Sequence, residues 1–272
     1  MARRPAVAGQ FYPAEPEQLR SMIASFTPAV EARGRALGLL CPHAGYPFSG
    51  PVAGETFARV EVPGAVVLLN PSHSYDRPAL ALWTGGDWQT PLGRIGLHGP
   101  LTEALAALPA VTADDRPHLP EHSGEVVVPF IQYHNPNAQI AVVCVTASAR
   151  LEMLKAFGAD LAAALESAGE PDALIVASSD MSHESGPDAL AMVNRNDSLA
   201  IAPMEALEPD VLYRICRQEG VTMCGVLPAT AMMAAVKARG GTRGELVARA
   251  TSADSPLGRG SYVVGYAGMV FK

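Results

Sequence analysis

Charge is scarce in this 272-residue chain: only 17% of its residues are Asp, Glu, Lys or Arg, while 49% are hydrophobic. That balance excludes a disordered chain, which is charge-rich and apolar-poor. Cationic excess is missing as well. The net charge of −7 argues against nucleic acid or an anionic membrane surface as a partner, since such binding runs on phosphate neutralisation by Lys and Arg. Cysteine is sparse, with four residues and no CxxC pair, so neither a disulfide framework nor a zinc ribbon is expected. Arg3 and Arg4 have no apolar run behind them that would make a signal peptide, and no stretch reaches the roughly 20 apolar residues of a membrane span. A reduced, cytoplasmic protein is the expectation. Walker A, GxGxxG, HExxH and GxSxG patterns are all absent, which removes the common nucleotide, zincin and serine-hydrolase signatures.

What is present is an alternation of short apolar runs with helix-like segments. Residues 37–41, 65–69, 140–145 and 173–177 are continuous apolar runs, the pattern of strands covered on both faces. Residues 247–250 and 262–271 read as later strands, the last closer to alternation and so antiparallel. Helices are expected over 15–26, 151–167, 206–218 and 228–239, the second carrying Leu151, Leu154, Phe157, Leu161 and Leu165 at spacings of three and four. No linker or repeat divides the chain. The expected fold is a single α/β domain over residues 1–272, with a mixed, mostly parallel sheet covered by helices on both faces.

Three polar clusters follow three of these strands. They are Pro42-His43-Ala44-Gly45-Tyr46, Asn70-Pro71-Ser72-His73 and Ser178-Ser179-Asp180-Met181-Ser182-His183. Ligands of open α/β sheets bind outside the carboxyl ends of the strands, so parallel strands would bring His43, His73, Asp180 and His183 to one edge. Imidazoles and a carboxylate converging there suit a divalent metal. A single loop histidine is more often a surface or core residue; the coincidence of three strand ends is the signal. Two off-strand candidates join them. His122, in Glu121-His122-Ser123-Gly124-Glu125, could face the same cleft or simply serve a helix start. Cys224, in Met223-Cys224-Gly225, precedes a helix and could ligate metal or be a small buried residue. Cys41, Cys144 and Cys216 are assigned to the core, and His98, His118 and His134 to structural roles.

These motifs resemble the Memo-like family, called AmmeMemoRadiSam system protein B in prokaryotes. The resemblance runs from Arg4-Pro5-Ala6-Val7-Ala8-Gly9-Gln10-Phe11-Tyr12-Pro13 through the clusters above to Ser261-Tyr262-Val263-Val264-Gly265-Tyr266. It implies a fold similar to class III extradiol dioxygenases, enzymes that use non-haem Fe(II). It also implies that His43, His73 and Cys224 hold a metal, with His183 at the acid/base position, Asp180 completing or orienting the shell, and His122 lining the pocket. Fe(II) is the expected ion, with zinc or copper as alternatives. A thiolate in place of a carboxylate is a softer donor, so ring-cleaving activity is not carried over from the fold.

The resemblance implies an oxidoreductase acting on an unknown small molecule. A second reading is a non-catalytic module taking a peptide or phosphopeptide in the same cleft, and a third, ranked lower, is hydrolysis by a zinc-bound water. It further implies AMMECR1-like and radical SAM proteins as partners in the same system. This chain lacks the CxxxCxxC cluster of the radical enzyme itself.

Overall fold

The computed structural model describes residues 2–258 and 260–272. Its centre is four parallel strands in the order β1 (Gly38–Cys41), β8 (Leu174–Ser178), β2 (Ala65–Pro71) and β7 (Gln139–Val145). Antiparallel pairing extends it on both sides. β11 (Tyr262–Phe271) lies beside β1 and carries β10 (Gly244–Thr251) and β9 (His183–Ser185). β3 (Leu80–Leu82) lies antiparallel to β7 and carries β6 (Thr112–Ala113) in parallel. A separate hairpin joins β4 (Trp88–Thr90) and β5 (Gly93–Ile95). The expected antiparallel character of 262–271 is thus observed, as is the continuous burial of the central strands.

Helices cover both faces because successive strand residues point to opposite sides. In β2, Val67 and Leu69 pack with Leu154, Phe157 and Leu161 of α5 (Leu151–Ser167) and with Met232 and Val236 of α8 (Val226–Ala238). Val66 and Leu68 face the other way, toward Leu19 and Ile23 of α1 (Pro16–Phe26), Phe57 of α2 (Tyr46–Ala58), and Phe130 and Ile131 of α4 (Val128–His134). α3 (Gly99–Ala106) completes the first layer with Leu101 and Leu105. Among the described residues no helix is long and apolar enough to cross a membrane.

Several helical segments depart from the sequence expectation; α3 and α4 fall where no helix is expected, and three others show why. α2 is buried almost all round, so it shows no amphipathic stripe, and Pro47, Gly50, Pro51 and Gly54 give it the look of a loop. Gly54 is there for contact: a Cβ would strike the backbone of Phe26. α6 (Ala189–Glu205) buries Asn196 and Asp197 on its inner face, which hides its periodicity. The helix expected from residue 206 begins instead at Pro209 (α7, Pro209–Gln218), because Leu207 adopts φ +52° and breaks the helical path between α6 and α7.

Candidate metal centre

β1 and β2 flank β8, so the turns after all three strands open at one sheet edge. His43 follows β1 across Pro42 and is 2% exposed. Asp180, just past β8, accepts the His43 amide at 2.7 Å and the Ala44 amide at 3.2 Å through Oδ1, which fixes the turn. The His43 ring is fixed by Ser178. That hydroxyl donates to the Ser123 carbonyl at 2.6 Å, so its oxygen is left to accept from His43 Nδ1 at 2.7 Å. Nδ1 therefore carries the proton, and Nε2 presents a lone pair.

His73 is held in the same manner by Glu121. Its amide donates to Oε2 at 2.7 Å, and its Nδ1 lies 2.9 Å from Oε1. Oε1 also accepts the Ser123 amide at 3.0 Å. Burial pushes the Glu121 carboxyl up, but the hydrogen bonds and charge of His73 outweigh it and hold the group well below its usual range. In return the hydrogen bond to Glu121 raises the pKa of His73. His122 stands beside both rings, its centroid 5.4 Å from His43 and 4.7 Å from His73, with Phe11 at 4.9 Å behind it. Burial, then the neighbouring histidines, keep His43 neutral, and burial does the same for His122.

One donor atom each from His43, His73 and His122 lie within 4.8 Å of one another, close enough for a single ion to be reached by all three. Cys224, an expected ligand, stands outside that group of three and touches it only at His43, its Sγ 3.2 Å from Nε2. It sits just before α8, where Gly225 permits close approach: a Cβ at 225 would strike the Ser178 carbonyl and the Ser179 side chain. The Gly225 amide donates to Ser179 Oγ at 2.9 Å. Burial, then the Asp180 charge, push the Cys224 thiol up, so without an ion it is a neutral S–H beside an acceptor nitrogen. Burial also lifts Asp180, to about 6, against the pull of the His43 and Ala44 amides.

His183 begins β9 and is half-buried. Its Nδ1 donates to the Thr222 carbonyl at 3.2 Å and its amide to Thr222 Oγ1 at 2.7 Å. Nε2 is therefore the atom that can accept a proton. Its charge is felt at both His43 and Asp180. The other imidazoles stand elsewhere: His98 caps α3, and His118 bonds the Ala81 carbonyl.

The sequence profile of the Memo-like protein family matches residues 3–270. The chain belongs to the Memo-like family. A MEMO1 family protein of Aquifex aeolicus is 38% identical over 99% of this chain and 98% of its own. One of Methanopyrus kandleri is 37% identical over 100% of this chain and 99% of its own. In shape the Memo-like chain is similar to an uncharacterized protein of Escherichia coli K12, with TM-score 0.50, 16% identity, and coverage of 85% of this chain and 100% of that one. At that identity the likeness concerns the fold alone.

Sequence reasoning did not find the residues that aim the imidazoles. Glu121 lies inside a quoted motif, yet nothing in its spacing marks it as the partner of His73. Ser178 is the last residue of a strand. Arg3 is less visible still. It is 2% exposed and donates to the carbonyls of His118 at 2.8 Å and Glu121 at 2.6 Å, and to Glu125 Oε2 at 2.7 Å. Glu125 also accepts from the amides of Ala6 and Val7 and from the Tyr12 hydroxyl, so the N-terminal segment braces the loop that carries Glu121 and His122.

Proposed function

We propose that this Memo-like protein is a metal-dependent oxidoreductase of a small molecule, with iron as its ion. The observation that carries the reading is the convergence of three imidazole donors within 4.8 Å, with a thiol 3.2 Å from one of them. The donor set fits such an ion. Both Nδ1–H groups, of His43 and His73, are spent on fixed acceptors, which leaves Nε2 of each ring as the atom to face an ion, the arrangement that second partners impose on metal-binding histidines. His43, His73 and Cys224 are assigned as the holding residues, with His122 as the neighbouring donor that lines the open side. A bound Fe(II) would supply redox chemistry there. The family resemblance, not the donor geometry, is what favours iron over zinc or copper.

The chain's own residues divide the remaining work. Asp180 anchors the His43 turn through its amides. His183 moves a proton at Nε2, since its other nitrogen is committed to Thr222. Loading with Fe(II) under anaerobic conditions should give about one equivalent per chain. His43→Ala should abolish binding, and Cys224→Ser should remove the thiolate-to-metal charge-transfer band of the Co(II)-substituted protein. Oxygen consumption across a panel of catechols and thiols, lost in His183→Ala, would support an enzyme. Unchanged metal binding in His43→Ala would overturn the site. Tight peptide binding without turnover on any substrate would overturn catalysis and leave a binding module.

A further inference from the structure

A second feature lies against this site. A cavity of about 230 Å³ is lined by Phe48, Ser252, Leu257, Gly258, Tyr262, Val264 and Tyr266. Tyr262, Val264 and Tyr266 alternate along β11 and so share one face of the sheet. Phe48 comes from the first turn of α2, in the segment that begins with His43. The cavity therefore shares with the metal centre the segment after β1, and it borders His183 through the β11 register in which Val264 pairs with that residue. The Tyr262 ring lies 6.4 Å from the His183 ring. The segment after β10 is tied in place, with Ser255 Oγ donating to the Pro47 carbonyl at 2.8 Å and the Val264 amide donating to Ser252 Oγ at 3.0 Å.

We propose that this cavity is the substrate's specificity pocket and receives a neutral, single-ring aromatic group, presenting the substrate's polar end to His183. The inference deepens the functional reading above and rests on it for the word substrate. Three aromatic walls offer the offset and edge-on contacts that rings favour. None of the described lining residues carries a charge, so the described walls offer an ionic group no counterion. Size sets the limit: a cavity of about 150 Å³ accepts benzene, so this one takes a single ring with a short substituent and is too small for a whole drug-sized ligand. Asp180 acts in the same direction. After burial, its charge is the next cause raising the pKa of both Tyr262 and Tyr266, so an anion would meet repulsion.

The test is titration with benzyl alcohol, followed by NMR of the His183 imidazole, in metal-loaded and metal-free full-length protein. Saturable binding is expected, with a Kd on the order of millimolar for a fragment of this size. It should shift the His183 resonance and be weakened about tenfold in Phe48→Ala and in Tyr262→Ala, with metal content unchanged. Tyr262 is 58% exposed, so its variant tests the pocket without risk to the core. Isoamyl alcohol, benzoate and benzylamine should each bind more weakly. The pocket assignment is overturned by absence of saturation, by unaltered affinity in both variants, or by equal binding of benzoate. Failure of metal binding with benzyl alcohol still seated would instead remove the metal reading and keep the pocket.

Discussion

The Ser178 hydroxyl decides which nitrogen of His43 carries the proton. It sits 2.7 Å from Nδ1 while donating to the Ser123 carbonyl, so it can only accept from the ring. Ser178→Ala should leave a soluble, folded protein whose metal affinity is lower by about 10- to 100-fold, the usual loss when an orienting partner is removed. Competition with a chromophoric chelator measures it. Affinity equal to wild type would show that the hydroxyl does not set the imidazole.

Glu121 acts at two levels. Glu121→Gln retains the shape but replaces one acceptor oxygen by an NH2 group that cannot accept, so either the His73 amide at Oε2 or the His73 ring and Ser123 amide at Oε1 lose their partner. Metal affinity should again fall by about 10- to 100-fold, and a buried mismatch of about 1–3 kcal/mol should appear in urea unfolding. Loss of stability with affinity intact would make Glu121 a purely structural residue.

The central sheet was legible because parallel strands covered on both faces must be continuous apolar runs, as Ala65–Leu69 and Leu174–Ala177 are. The strand-end histidines were legible for the same reason: strand order and polarity carry His43 and His73 to one edge. The helices α2 and α6 were not, since one has no polar face and the other buries Asn196 and Asp197. Nor were the partners of the imidazoles. Ser178 lies 135 residues from His43, and Glu121 lies 48 from His73, separations at which local pattern says nothing of contact.

Stability should depend on pH through His118, which is 1% exposed and donates from Nε2 to the Ala81 carbonyl, with Nδ1 unpartnered. Burial lowers its pKa from 6.5 to about 4. The unfolded chain therefore binds the extra proton first, so the contribution is complete above about pH 6.5 and is lost as pH falls toward 4. A shift of this size is worth at most about 3 kcal/mol. His118→Gln, which keeps a donor for Ala81, should flatten the fall in urea midpoint between pH 7 and 4.5. An equally steep fall in the variant would assign the acid sensitivity to other groups.

Arg3 offers the sharpest separation of fold from site. With side chains 1% exposed on both partners, its ion pair with Glu125 is fully buried, and removing one member leaves the other charge without its counterion. Glu125 would keep the amides of Ala6 and Val7 and the Tyr12 hydroxyl, so the cost of Arg3→Met should fall near the low end of the usual range, about 3 kcal/mol. Arg3→Lys keeps the charge but not the fork that reaches the carbonyls of His118 and Glu121 together with the Glu125 carboxylate. It should recover part of the stability. Because the Glu121 carbonyl is one of the Arg3 acceptors, metal affinity should fall in both variants, and in Arg3→Lys it should fall more than the recovered stability would suggest. Urea unfolding of the metal-free protein and chelator competition separate the two effects. Restored stability together with restored affinity in Arg3→Lys would mean that the charge alone matters and that the brace does not position Glu121.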